Sequence, residues 1–318
     1  MKKFKMDKRD EKILAVFSNN ARLSYNKIAK LTHISKDSVR NRILKLEKGG
    51  VIKSYFTLFD YPKLGINNFV VYCKFKSTKY LNKAGLKKLV KNKKISSITW
   101  LLGKFDLRIG ILAHTKKKAM IILKETLFLN KIEKYLVVTC NNPIIYTTIT
   151  EGQKSSVTTS NLIQRSIAID KKDLEIIKHL GNNPRARFID LSQRLRLKED
   201  ELRYRLRKLI NNKIILGFYA RTGNSSMGRS RHLALIKVKK PVDKNSLDIL
   251  KNMKNIFYLR KFSGDWNYEL RFHTSSNDEL VRTFYKIREV LSNNLIDMKL
   301  HTIFDIIKFD TTPHSLLN

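Results

Sequence analysis

Two groups of residues invite chemistry. The first is Ser35, Lys36, Ser38, Arg40, Asn41 and Lys45. Arg and Asn at helical spacing can make bidentate hydrogen bonds to guanine and adenine edges, while Lys and Ser suit phosphate oxygens. A solvated cationic helix face explains such residues more plainly, so the element that carries them decides. The second group is a pair of dipeptides, His114-Thr115 and His273-Thr274, at matching places along the chain. Histidine titrates near neutral pH and is the commonest acid–base side chain. A strand-end histidine beside a helix-capping threonine accounts for both without catalysis. No phosphate loop, nucleophile elbow or metal-spaced cluster occurs. Cys73 and Cys140 are too few for a disulfide framework or a cysteine zinc site and read as apolar strand filler. No metal and no cofactor are expected.

The elements that must position these residues come twice. At an offset of 163, Asp7–Gly65 aligns without a gap on Asp170–Gly228, with 14 of 59 pairs identical. Ile13, Leu14 and Phe17 share one helical face behind an Asp7 cap, and Asn19-Asn20 ends that helix. Ser24 caps a short helix with Ile28, Ala29 and Leu31 turned inward. Ser35 caps a third, 36–48, whose buried stripe is Val39, Ile43 and Leu46. Gly49-Gly50 stops it, and 51–59 alternates like a strand. Three short helices and a strand make a winged helix-turn-helix, which places its third helix in the major groove of duplex DNA. The six residues of the first group lie on the free face and leading end of that helix.

With Asp7-x-x-Asp10-x-x-Ile13-Leu14, Ala21-Arg22-x-Ser24, Ile28-Ala29 and Ile34-Ser35-x-x-x-Val39-x-x-Arg42-Ile43-x-x-Leu46-Glu47-x-x-Gly50-Val51-Ile52 in place, the chain resembles the Lrp/AsnC (feast/famine) regulators of archaea and bacteria. The likeness is specific over about fifty residues and extends more weakly through both copies. His33 stands where the family usually turns on glycine, which asks a bulky residue to take a positive φ. In the second copy that place is Arg196, the cap becomes Lys198, and the third helix opens with Glu199-Asp200-Glu201. That copy offers Arg203, Tyr204 and Arg207 to DNA and reads as the poorer, more structural unit.

The rest of each copy reads as βαββαβ, a ferredoxin-like sandwich. The division expected is a winged helix-turn-helix over 1–62, a sandwich over 63–150, a polar linker over 151–168, a second winged unit over 169–228 and a second sandwich over 229–312. The fold class is therefore α+β, two tandem copies of one two-domain unit. The resemblance implies that the sandwich binds a small effector, such as an amino acid, and dimerises. Its Gly-x-x-Asp turn stands as Gly103 and Asp106 and, altered, as Gly264 and Asn267. The helix-free sheet face should be apolar and need covering. A fused duplicate could meet that need within the chain as a pseudo-dimer, and a homo-oligomer is the alternative.

Composition sets the bounds. Lys and Arg number 65 against 27 Asp and Glu, a net charge of +38. Such a chain attracts polyanions, although the richness in Lys, Ile and Asn is also what an AT-rich genome writes. No apolar run is long enough to span a bilayer and the N-terminus lacks a signal-peptide core, so a cytoplasmic protein without a membrane partner is expected. The function expected is a sequence-specific transcription regulator on double-stranded DNA. An architectural DNA binder is the alternative, favoured by the +15 carried on residues 61–150. Siroheme decarboxylases share the two-domain architecture, sometimes as fused pairs, but carry histidine-rich strand segments. None occurs here among 101–107 or 262–270, and the chain is expected not to be an enzyme.

Overall fold

Residues 4–126, 131–147, 155–158, 168–181, 183–223 and 228–316 are described in a computed structural model of the chain. The first half opens with α1 (Lys8–Asn19), α2 (Tyr25–Thr32), α3 (Lys36–Lys48) and β1 (Ile52–Phe59). Asp7 and Asp10 form a reciprocal capping box, and Ser24 and Ser35 accept backbone N–H groups at the next two helix starts. Ile13, Leu14, Phe17, Ile28, Val39, Ile43 and Leu46 are fully buried together. Leu31 is not with them. It is 51% exposed, because the position one turn after Ile28 is Thr32, whose hydroxyl donates to the Ile28 carbonyl. His33 takes the left-handed conformation at φ 57°, and Arg196 repeats it at φ 52°. Lys198 makes no side-chain cap, as its chemistry requires.

The first sandwich comprises β2 (Asn67–Phe75), α4 (Lys83–Lys91), β3 (Ile95–Leu102), β4 (Leu107–Ala113), α5 (Lys116–Thr126) and β5 (Ile132–Thr147). Of the expected linker Ser155–Thr158 and residue 168 are described, and Ser155–Thr158 forms β6 against β5. The remainder of the linker lies outside the described residues. The second half repeats the order with α6 (Lys171–Leu180), α7 (Phe188–Leu195), α8 (Glu199–Asn211), β7 (Ile215–Thr222), β8 (Ser230–Val238), α9 (Lys244–Asn252), β9 (Ile256–Ser263), β10 (Tyr268–Thr274), α10 (Asn277–Leu291) and β11 (Leu295–Phe309).

The halves are woven together. Strands run β2-β4-β3-β11-β8-β10-β9-β5, and β5 pairs back to β2, closing a ring of eight. Both seams between halves, β3–β11 and β5–β9, are antiparallel backbone pairings. The helices lie outside, with α4 and α5 over one core and α9 and α10 over the other. The two helix-free faces meet inside, where Val70, Tyr72, Leu101, Phe105 and Val138 pack on Leu233, Leu235, Phe262 and Ile303. That face is only partly apolar, contrary to expectation, because Arg108, Arg260, Glu269 and Arg271 also point inward.

A second, separate sheet joins the winged units. β1 pairs antiparallel with β7, from Ile52 opposite Thr222 to Phe59 opposite Ile215. Arg22 and Arg185, identical positions in the repeat, donate reciprocally to the carbonyls of Pro184 and Ala21. The second winged unit also packs on Phe59, Tyr61, Leu64, Ile66 and Leu112 of the first half. The two units are thus held by backbone pairing and by side chains.

Candidate nucleic-acid interface and internal cavity

Helix α3 is held by its buried stripe and by Arg42, whose Nη1 reaches Asp7 at 2.7 Å and Asp10 at 2.8 Å. Arg205 repeats this clamp on Asp170 and Asp173 at 2.7 and 2.9 Å. Three of the repeat's identical pairs, Asp7/Asp170, Asp10/Asp173 and Arg42/Arg205, are therefore explained by setting the third helix on the first, without DNA. On the free face, Lys36, Arg40, Asn41 and Lys45 are exposed, and Ser38 is half-buried. Ser35 serves as the cap, accepting the Ser38 N–H at 3.4 Å. Arg40 and Asn41 have no hydrogen bond or ion pair among the described residues, whereas Lys45 lies 5.7 Å from the Phe4 ring centre.

Helix α8 is less available. It carries four cations against three acids, where α3 carries five against two. Arg203 pairs with Glu199 at 3.1 Å and stacks over Phe188 at 4.2 Å. Arg207 donates to the Arg203 carbonyl at 3.4 Å. Tyr204, 65% exposed, is the most open of the three.

The turn residues do different work. Asp106 is buried, accepting the Phe75 N–H at 2.8 Å and the Lys74 ammonium at 3.0 Å. Asn267 accepts the Val238 N–H at 2.8 Å in the same way. Gly103, at φ 144°, lets its turn press on β11, where a Cβ would sit 3.0 Å from both His301 Cδ2 and the Leu300 carbonyl. Gly264, at φ 137°, faces Val138. Gly103 and Gly264 bring their hairpins against the opposite half, Asp106 and Asn267 pin them to strands of their own half, and none of the four lines the cavity described next.

That cavity, about 210 Å³, opens between the inner faces of both halves and the β1–β7 ribbon. Its lining includes six arginines, Arg108, Arg221, Arg229, Arg231, Arg260 and Arg271, against one acid, Asp310. Phe56, Phe257, Tyr258 and Phe309 supply flat apolar walls. Some of this charge is answered from behind. Glu269, fully buried, accepts from Arg108 at 2.7 Å, from Arg271 at 2.8 Å and from the Tyr72 hydroxyl. Burial alone would raise its carboxyl, but Arg108, Arg271 and Arg260 hold it far below the usual carboxylate range. Asp310 is engaged by His314 at 2.9 Å.

The other arginines are held by uncharged groups: Arg231 donates to the Thr222 carbonyl, Arg221 to the Ser54 hydroxyl at 3.0 Å and Arg260 to Cys140 Sγ at 3.0 Å. Burial, with Arg221 and Arg271 nearby, pushes the Arg231 guanidinium down to about 10. Tyr258 lies between Arg260 and Arg271, their guanidinium carbons 5.1 and 4.9 Å from its ring centre. The buried Arg260 Nε and Asn68 Oδ1 find no hydrogen-bond partner among the described residues. His273 stacks on Phe257, meets Arg229 at 3.1 Å and is pushed down to about 4 by burial and by Arg229 and Arg231. Guanidinium groups pair bidentately with carboxylate or phosphate and the aromatic walls are flat and apolar, so the lining is chemically complementary to an anion on a flat apolar body.

Comparison with known proteins bears on both features. Residues 6–53 and 169–215 each match a family of winged helix-turn-helix DNA-binding units. The HTH-type transcriptional regulator LrpB of Bacillus subtilis is 27% identical over 131 residues, 41% of this chain and 87% of LrpB. LrpA of Pyrococcus abyssi is 40% identical over 60 residues, 19% of this chain and 43% of LrpA. The chain is an Lrp/AsnC-like protein in tandem duplicate. For three archaeal relatives the matched stretch spans only about two fifths of their length.

The Lrp/AsnC-like chain also has a whole-length counterpart in fold. The siroheme decarboxylase NirDL superposes with a TM-score of 0.63 over 95% of this chain and 92% of its own, at 14% identity. A second NirDL structure is a co-complex with an iron-uroporphyrin III analogue. At that identity the likeness shows the fold alone, but it overturns the expectation that the chain is not an enzyme, since the same woven arrangement belongs to one. His273 of β10 lines the cavity, His301 of β11 stacks on Phe105 in the ring interior with ring centres 5.8 Å apart, and His232 of β8 turns to the helix side against Phe272. Nor is Thr274 a cap. Its hydroxyl meets His232 Nε2 at 3.0 Å, and Ser276 caps α10. Thr115 does cap α5, and His114 is exposed, its Nδ1 2.9 Å from the Gly65 carbonyl. The missed signal was Glu269-x-Arg271-x-His273, charges alternating with Leu270 and Phe272, which puts every charge on one sheet face. Among the described residues no helix is long and apolar enough to cross a membrane.

Proposed function

We propose that this chain is a DNA-binding transcription regulator that reads duplex through α3, with Arg40 and Asn41 on base edges and Lys36, Ser38 and Lys45 on phosphates. Arg203, Tyr204 and Arg207 of α8 supply weaker contacts. The setting of the two helices answers to an anionic ligand in the arginine cavity. One observation carries the reading. The β1–β7 ribbon that joins the two winged units is also a wall of the cavity, through Phe56, Leu58, Ala220, Arg221 and Thr222. A ligand that draws Arg221 inward pulls on the strand that follows α8, and its differential fit is what can bias the pair. The ligand class is a polycarboxylate on a flat apolar frame. This supports an effector of the cavity in preference to an amino acid at the Gly103 and Gly264 turns.

A second reading is an enzyme acting on such a polycarboxylate. It is favoured by the whole-length likeness to siroheme decarboxylase NirDL together with the six arginines. One experiment separates the readings. The full chain is bound to sheared genomic DNA near physiological salt, with and without iron-uroporphyrin III, and the retained DNA is sequenced. Peaks near promoters that strengthen or fade with the tetrapyrrole support the regulator. Retention without peaks moves the chain to the architectural class. Tight tetrapyrrole binding with no DNA retained, and carbon dioxide released from siroheme, establishes the enzyme.

A further inference from the structure

The outward faces of α4 and α5 have no counterpart in the second half. Both helices bury Leu86, Leu89, Ala119, Ile122 and Leu123 in the first core, and Lys87, Lys91, Lys116, Lys117, Lys118 and Lys124 are exposed. Between residues 61 and 124 the only acid is Asp106, which is buried beneath Lys74. The matching helices of the second half are balanced. α10 opens with Asp278 and Glu279, and Lys251–Asp248 and Lys286–Glu289 pair along α9 and α10. Residues 61–150 carry +15, whereas 229–318 carry +6.

Folding does not ask for this. Lys87 and Lys91 stand four apart on one helix, a spacing at which like charges destabilise by a few tenths of a kcal/mol. The first turn of α5 is Lys116-Lys117-Lys118, cations at the positive end of the helix dipole, where acids are favoured and α10 has them. Two copies of one fold bury their helices equally well, yet only one leaves a strongly cationic surface that opposes its own helix, with Glu125 the single acid on either helix. An external polyanion accounts for the difference.

We propose that the α4–α5 face of the first half is an accessory surface for the phosphate backbone of duplex DNA, binding without sequence preference. It rests on the DNA-binding reading above. Base contacts stay with α3, and this face holds flanking duplex, so it adds affinity and salt dependence but no discrimination.

The test uses the full chain and a variant with Lys87→Gln, Lys91→Gln, Lys117→Gln and Lys118→Gln. Glutamine suits exposed helix as well as lysine does, and the variant should melt at or slightly above the parent. Affinity for a long genomic duplex is measured against salt, alongside preference among sequenced fragments. Each phosphate contact contributes about 0.9 to the log–log slope. The variant is expected to lose at least about two of slope with its preference unchanged. Arg40→Ala with Asn41→Ala should lose preference and keep most of the slope. A lysine variant with the parent's slope and affinity overturns this surface while leaving the DNA reading intact. A parent chain that binds no duplex at low salt overturns both.

Discussion

Replacing Glu269 with glutamine tests the electrostatic account of the ring directly. Glu269 is 0% exposed and answers Arg108, itself 3% exposed, and Arg271. Glutamine keeps the size and one acceptor but deletes the charge, so two guanidiniums remain inside with nothing opposite them. Breaking a buried pair from one side costs about 3–5 kcal/mol, a large share of a total stability of about 5–15 kcal/mol. Urea unfolding at pH 7, followed by the fluorescence of Trp266 in the same interior, should show a loss of that size. The pH dependence has a definite sign. The folded carboxyl lies below its unfolded value near 4.5, so its stabilisation is complete above that pH and is lost as pH falls through the folded value. Parent and variant should therefore differ most at neutral pH and converge in acid. A variant within about 1 kcal/mol of the parent at pH 7 refutes the claim that the ring interior needs this carboxylate.

Three further outcomes follow from the same structure. Arg40→Ala with Asn41→Ala should weaken specific DNA binding by about 1–3 kcal/mol per lost bidentate contact, and Arg203→Ala with Arg207→Ala should weaken it less, since Arg203 is engaged by Glu199 and Phe188; gel-shift affinities in the reverse order would sink the asymmetry. His273 is pushed from 6.5 to about 4, so the chain should lose stability as pH falls from about 6.5 toward 4. His273→Phe should remove about 3 kcal/mol of that decline, measured by unfolding at pH 7 and pH 4.5, and an unchanged decline would place the titration elsewhere. His33→Gly should raise stability by about 1 kcal/mol by relieving the left-handed backbone at φ 57°, checked by thermal melting, where no gain argues against strain at that turn.

The winged units were legible almost residue by residue. Their caps, Asp7, Ser24, Ser35 and Asp170, act within three residues of chain, and their stripes follow a helical period, so local chemistry suffices to read them. The positive φ at His33 and Arg196 was legible for the same reason. Leu31 was misread because adjacent apolar residues at a helix end leave the inward one undecided, and packing chose Thr32. The Gly-x-x-Asp turns were located correctly as hairpins, but the residues they press against, His301 and Val138, come from the other half of the chain and no spacing announces them.

Periodicity and neighbours a few residues apart are enough to read the duplication, the order of elements in each copy, the α+β class and which helix carries exposed cations on its outer face. Only the tertiary structure decided that the two sandwiches close into one ring, that Arg108 of β4 meets Glu269 of β10, and that six arginines from both halves surround a cavity beneath the ribbon joining the winged units. A period of two tells which side chains share a face. What that face meets depends on strand pairing between residues some two hundred apart, and there the charges that look like solvated surface in the sequence become the buried interior.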